Sequence, residues 1–205
     1  MIPSNPPRPG ESPANCHRCE LWKRATQAVG GEGSPRASIM LVGEQPGDEE
    51  DRRGHPFVGP AGRLLDAALR EAGLERGAVY ITNAVKHFKW EPRGKRRLHK
   101  KPGLREISAC RVWLDQEIDT LGPSVIVALG STALRALTGA SLTLASTRGK
   151  ALPHAGGARL IATYHPSAIL RAEGEQASGL RKSLVQDLQR ARELAAGGHP
   201  ERPAG

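Results

Sequence analysis

Four apolar runs along the chain alternate with stretches whose apolar residues recur at helical spacing. Residues 37–42 form an apolar run ending in Gly43, the pattern of a strand buried on both faces. Within 61–72, Leu64, Leu65, Ala68, Leu69 and Ala72 share one helical face, and Gly73 is placed to cap the C-terminus. Residues 78–82 predict a second strand. A helix follows over 104–121, with Leu104, Ile107, Leu114, Ile118 and Leu121 on one stripe and Gly122-Pro123 to stop it. Residues 124–129 read as a third strand, a short helix runs on to Leu137, and 159–163 read as a fourth strand. A last helix over 176–194 sets Leu180, Leu184, Leu188 and Ala191 on one face. Weaker signals give a helical stretch at 20–27 and either a hairpin or irregular loops at 139–157.

Four alternations of strand and helix predict an α/β domain: a four-stranded parallel sheet with helices on both faces. It spans residues 15–195, between disordered tails at 1–14 and 196–205. Function in such a sheet gathers in the loops that leave the carboxyl ends of the strands. Here those loops are GEQPGDEED (43–51), NAVKH (83–87), GST (130–132) and YHPS (164–167). They imply one cleft.

Charge adds an anionic partner, nucleic acid first. The 205 residues carry 30 Lys and Arg against 21 Asp and Glu, a net charge of +9. Between Lys86 and Arg105 there are nine Lys or Arg and a single acid, Glu91, so nearly all the excess sits in one segment, expected as a long loop at the cleft's rim. Aromatic residues are only 3% of the chain, which makes the core aliphatic. No apolar run approaches the length of a membrane span, and the proline-rich start lacks the apolar stretch of a signal peptide. A cytoplasmic protein is expected. Three cysteines in a reducing compartment point to metal binding or chemistry rather than disulfides.

The candidate motifs each have a plain alternative. Gly43-Glu44-Gln45-Pro46-Gly47 follows a strand but lacks the spacing of a phosphate loop; it is either a turn bringing backbone against a flat ligand or an ordinary acidic turn. Cys16-His17-Arg18-Cys19 is a C-x-x-C pair, and with His87 and Cys110 it makes a three-cysteine, one-histidine set. Spacing alone allows zinc, an iron–sulfur cluster or unrelated thiols. The run from Gly94 to Pro102 reads first as a solvated phosphate-binding stretch, which leaves Leu98 and His99 unexplained. His165 follows the fourth strand, where a histidine either caps a turn or acts in the cleft.

Together GEQPGDEED, HPFVGPAGRLL (55–65), TNAVKH, the ACRVWL segment around Cys110, ALG and HPSAILR (165–171) resemble the iron–sulfur uracil-DNA glycosylases, from about Cys16 to Leu194. KRRLH (95–99) resembles the inserted loop of the UdgX type, whose members become covalently attached to DNA after excising uracil. The resemblance implies that the base is taken out of the stack or from a single strand. Asn83 matches the residue that reads uracil, its amide donating to O4 and accepting from N3–H; cytosine presents the reverse pattern. Phe57 matches the aromatic that stacks on the base. Gln45, Gly47 and Asp48 fall where the first motif lines the pocket, and Glu50 is a candidate for excluding the thymine methyl. His165 is placed beside uracil O2 to stabilise its developing charge. Glu44 faces the cationic sugar, where a hydrolytic relative would orient water. His99 would attack C1′ of the sugar, and flanking cations would keep it neutral.

The same resemblance makes Lys95, Arg96, Arg97, Lys100, Ser167 and Arg171 contacts to DNA, with Arg97 holding either the loop or a phosphate. Cys16, Cys19, His87 and Cys110 would ligate a 4Fe-4S cluster of structural role; conventional members have cysteine where this chain has His87, a histidine shared by the UdgX type. The implied partners are uracil-containing DNA, single strands included, with uracil as the leaving base, acted on by a monomer. Two alternatives stay open: a hydrolytic glycosylase that releases abasic DNA, and a non-catalytic metal-stabilised nucleic-acid-binding module.

Overall fold

The computed structural model describes residues 6–139 and 142–197. Its centre is a sheet of six strands: β1 (Glu32–Gly33), β2 (Ile39–Gly43), β3 (Tyr80–Asn83), β6 (Val125–Leu129), β7 (Ala151–Pro153) and β8 (Arg159–Thr163), in the order β1-β3-β2-β6-β8-β7. The four expected strands form its parallel middle, β3-β2-β6-β8. The four-stranded parallel expectation is corrected at both edges, where β1 and β7 pair antiparallel. Two- and three-residue strands are too short for any periodicity to reveal.

Side chains of the middle strands alternate between two cores, as the pleat requires. Met40, Val42, Ile126 and Ala128 face α3 (Leu104–Leu121) and α4 (Ser131–Thr138). Leu41, Ile81, Val127 and Ile161 face α2 (Pro60–Glu71) and α7 (Gly174–Ala196), joined by Ile169 of α6 (Pro166–Arg171). Burial on both faces explains why these strands read as continuous apolar runs. Among the described residues no helix is long and apolar enough to cross a membrane.

Two polar stretches expected as loops hold regular structure. Asp48–Arg53 forms a short helix, α1, with four acids in its first turn, two arginines in its last and Gly54 at its C-terminal end, a charge arrangement that suits the helix dipole. The basic segment is a hairpin of β4 (Trp90–Arg93) and β5 (Arg96–His99), not an irregular loop. Gly94 turns it with φ 58°, as a two-residue turn with glycine first demands. Residues 139–157 contain the single-turn helix α5 (Leu144–Thr147) besides β7.

In the stretch expected as an N-terminal tail, Glu11 accepts from the Arg18 guanidinium at both carboxylate oxygens and the Pro6 carbonyl accepts from it as well. Residues 1–5 and 198–205 lie outside the described residues.

Candidate active site

Parallel register puts Gly43 directly opposite Asn83, so the chains leaving β2 and β3 run side by side. The Ala84 N–H donates to the Gly43 carbonyl at 2.9 Å and the Val85 N–H to the Glu44 carbonyl at 3.0 Å. On the other side of β2 lies β6, the point where strand order reverses and such sheets bind their ligands. A cavity of about 730 Å³ opens there. Glu44, Gln45, Gly47, Phe57 and Asn83 line its floor and near wall. His99, Lys101, His165, Ser167 and Arg171 line the rest of its polar rim, with Leu98 at the mouth.

Asn83 sits at the bottom, 2% exposed, and its buried Oδ1 has no hydrogen-bond partner among the described residues. Leaving such an acceptor unpaired costs about 1–3 kcal/mol, which a ligand N–H would recover. The Phe57 ring flanks the same space, and its backbone is in the left-handed region at φ 54°, rare for a residue with a bulky side chain. Gly43 makes room for both. A Cβ there would stand 2.3 Å from Asn83 Oδ1 and 2.6 Å from Phe57 Cζ. The Phe57 centroid is 5.8 Å from that of His165.

His165 caps α6. Its Nδ1 accepts the Ser167 N–H at 3.1 Å, so the ring proton of the neutral form resides on Nε2. Burial, reinforced by the charge of Arg171 and by His99, pushes its pKa down to about 4. His165 is therefore a neutral donor at physiological pH.

Glu44 and His99 meet at the rim, with Nε2 of His99 3.5 Å from Glu44 Oε1. The Thr132 hydroxyl, from the first turn of α4, donates to the other carboxylate oxygen. Sequence reasoning missed Thr132, whose only signal was its place in the loop after β6. The His99 pKa is lowered chiefly by burial against the cavity; Glu44 opposes this and Arg171 assists. The shift runs in the expected direction, but the loop's own cations do not lead it.

Several expected pocket or DNA residues also make contacts that fix the hairpin or the first loop. Asp48 is outside the cavity lining and accepts from the Arg97 guanidinium, which also donates to Asp51 Oδ2 at 2.6 Å. Asp51 is fully buried and takes the Thr26 N–H and hydroxyl as well. Arg97 is wedged 5.4 Å from the Phe88 and Trp90 ring centroids. Gln45 lines the cavity, yet its amide donates to the Lys89 and Lys100 carbonyls and accepts the Lys89 N–H. Glu50 lines the cavity and receives the Gly47 and Gly59 N–H groups at 3.1 and 2.8 Å, stapling the first loop to the one bearing Phe57. Lys95 and Arg96 are exposed at the hairpin tip, while Lys100 pairs with Glu91 at 2.9 Å.

The thiols gather behind β3, away from the cavity lining. Cys16 and Cys110 belong to one buried cluster against which Cys19 packs. The Trp113 indole N–H donates to Cys16 Sγ and the Lys86 N–H to Cys110 Sγ, both at 3.2 Å. Such donors suit sulfur ligands that carry negative charge. His87 is buried nearby, its pKa lowered by burial, with His17 of the C-x-x-C loop among the charges it feels. Among the described residues no three His, Cys, Asp or Glu side chains close around a single metal ion; a four-iron cluster spaces its ligands more widely than one ion does.

Comparison with known proteins agrees with this arrangement. The chain is 40% identical over 178 residues to the type-4 uracil-DNA glycosylase of Thermotoga maritima, covering 86% of this chain and 88% of that protein. It is 40% identical over 193 residues to the type-4 enzyme of Sulfurisphaera tokodaii, covering 90% and 82%. Against a type-5 uracil-DNA glycosylase of Pyrobaculum aerophilum the identity is 32%, over 74% of this chain and 71% of that protein. The family model of the uracil DNA glycosylase superfamily matches residues 31–189, a span that holds the whole parallel sheet and every cavity residue described above, and the chain belongs to that superfamily.

Proposed function

We propose that the protein excises uracil from DNA and becomes joined to the resulting abasic sugar through His99. One observation carries this reading: His99 Nε2 and Glu44 Oε1 meet at 3.5 Å on the rim of the cavity that Asn83 lines, its side-chain Oδ1 without a partner among the described residues. Uracil entering that cavity offers N3–H to Asn83 Oδ1 and O4 to its amide, while Phe57 stacks on the ring.

Breaking the C1′–N1 bond sends its electron pair into the uracil ring, where charge gathers on O2. The Nε2–H of His165 stabilises that charge without transferring a proton. Glu44, fixed by Thr132, balances the positive charge that builds on the sugar. The Nε2 lone pair of neutral His99 then bonds to C1′, its Nδ1 keeps the ring proton, and the imidazole takes up the positive charge beside Glu44. Uracil leaves as its anion and is protonated by solvent.

Cys16, Cys19, Cys110 and His87 would hold the 4Fe-4S cluster. Bound there, it supplies a tie between the N-terminal segment, the turn after β3 and α3. Single-stranded uracil DNA is a substrate on this reading, bound by a monomer.

The test is incubation with a uracil-containing oligonucleotide followed by denaturing electrophoresis. A shifted band that resists denaturation is the expected result. Free uracil without a shifted band selects hydrolysis, and salt-sensitive binding with neither selects the non-catalytic module.

A further inference from the structure

Lys86 is a buried cation outside the cavity lining, and the mechanism above does not use it. It is 0% exposed, in the turn just after β3. Its ammonium makes three hydrogen bonds, to Thr82 Oγ1 at 2.7 Å, to the Asn83 carbonyl at 2.8 Å and to Glu117 Oε2 at 2.7 Å. An ammonium has three protons, so the set is complete. Glu117, on α3, is occupied in turn: Oε2 also accepts the Thr82 hydroxyl at 2.8 Å, and Oε1 accepts the Gly31 N–H at 3.0 Å.

A charge this deep is costly to bury, and packing alone would be served as well by apolar side chains of similar volume. What the pair does that apolar residues cannot is grip one particular carbonyl, that of the residue at the cavity floor. We infer that Lys86 and Glu117 are positioning residues that fix the Asn83 peptide so that its side-chain amide faces the base. The inference rests on Asn83 reading uracil. The grip lies on the side of β3 toward α3, and the Lys86 N–H meets Cys110 Sγ on that same helix. One residue thus connects the base reader to the thiol site, through its side chain at one end and its backbone at the other.

The test compares wild type with Lys86→Met and with the double variant Lys86→Met/Glu117→Gln. Both remove the ammonium that holds the Asn83 carbonyl; the first leaves the Glu117 carboxylate without its cation, whereas the double variant removes both charges together and keeps an amide oxygen on α3 as acceptor. Excision per folded molecule is measured on uracil- and cytosine-containing oligonucleotides, with folding followed separately by thermal melting. A positioning role predicts that uracil excision falls roughly ten- to hundred-fold, as misplaced reacting groups do, and that uracil-over-cytosine selectivity narrows. A purely structural role lowers the melting temperature and leaves rate and selectivity per folded molecule unchanged, which overturns the inference. The Asn83 side-chain amide resonances, assigned by their loss in Asn83→Asp, supply a readout that needs no activity. They shift in Lys86→Met/Glu117→Gln if the grip sets the amide, and stay in place if it does not. Inactive wild type with a shifting Asn83 resonance would fault the proposed function alone.

Discussion

His99 Nε2 stands 3.5 Å from Glu44 Oε1 although the residues reach this point from different elements, one ending the hairpin and the other leaving the sheet. Nothing in chain order requires them to meet. The contact exists because Gln45 fastens the base of the hairpin to the loop that carries Glu44, and because Arg97 holds the hairpin against α1.

The first prediction follows from that contact. His99→Ser abolishes the denaturation-resistant band while free uracil continues to appear, because Asn83, Phe57, His165 and Glu44 are untouched. Glu44→Gln keeps an acceptor for Thr132 but removes the charge facing the sugar, and slows uracil release by roughly a hundredfold. Denaturing gels and uracil quantification read both. A band of wild-type intensity from His99→Ser assigns the nucleophile elsewhere.

Arg97 carries the second. Its side chain is 14% exposed and its partner Asp51 is fully buried, so Arg97→Ala strands a carboxylate in the core. Breaking such a pair costs about 3–5 kcal/mol. The variant melts at a lower temperature than wild type and forms little adduct. A DNA-contacting arginine would instead lower affinity and leave the melting temperature unchanged.

The parallel sheet was legible because strands buried on both faces write themselves as apolar runs, and α3 because its stripe, its glycine and its proline agree. The edge strands were not, being two and three residues long. The hairpin was hidden by composition: Pro92 and a run of cations leave no apolar alternation, and of Arg96–His99 only Arg97 is even half-buried. The candidate residues lining the cavity were legible as motifs, whereas Thr132, Asp51 and Lys86 were not. Each of these acts through a partner distant in sequence, Glu44, Arg97 and Glu117, and nothing local marks the pairing. Asp48 shows the converse, a motif residue whose partner turned out to be the hairpin.

Gly43 gives a third prediction. In Gly43→Ala the new methyl overlaps Asn83 Oδ1 and the Phe57 ring at distances no real contact adopts. The strand itself tolerates alanine, so the cost falls on the base pocket. Uracil excision drops at least roughly a hundredfold while the melting temperature changes by only a few degrees. A wild-type rate in this variant would show that the base binds elsewhere.

At the hairpin tip, Lys95 and Arg96 are exposed and neither side chain has a carboxylate partner among the ion pairs of the described residues. If they hold phosphates, Lys95→Ala with Arg96→Ala weakens DNA binding similarly for every sequence. The slope of log K against log salt becomes shallower by about one unit per lost contact. Binding measured from low to physiological salt gives that slope. An unchanged slope places the phosphate contacts elsewhere on the protein.

His165 makes the last prediction, on stability and pH. Its pKa is about 4 in the folded protein, against an ordinary value of 6.5, because burial disfavours the charged ring and both Arg171 and His99 face it. The folded state thus binds this proton less readily than the unfolded state. The stabilisation is complete above pH 6.5 and is lost progressively as the pH falls toward 4. The full shift corresponds to about 3 kcal/mol, an upper bound because the ring retains some solvent contact. In His165→Asn the titrating group is gone and the Ser167 N–H keeps an acceptor. Urea midpoints measured from pH 7.5 to 4.5 therefore fall more steeply for wild type than for the variant. Parallel curves would mean that His165 is as easily protonated in the fold as in the open chain, and the neutral Nε2–H donor assigned to uracil O2 would go with it.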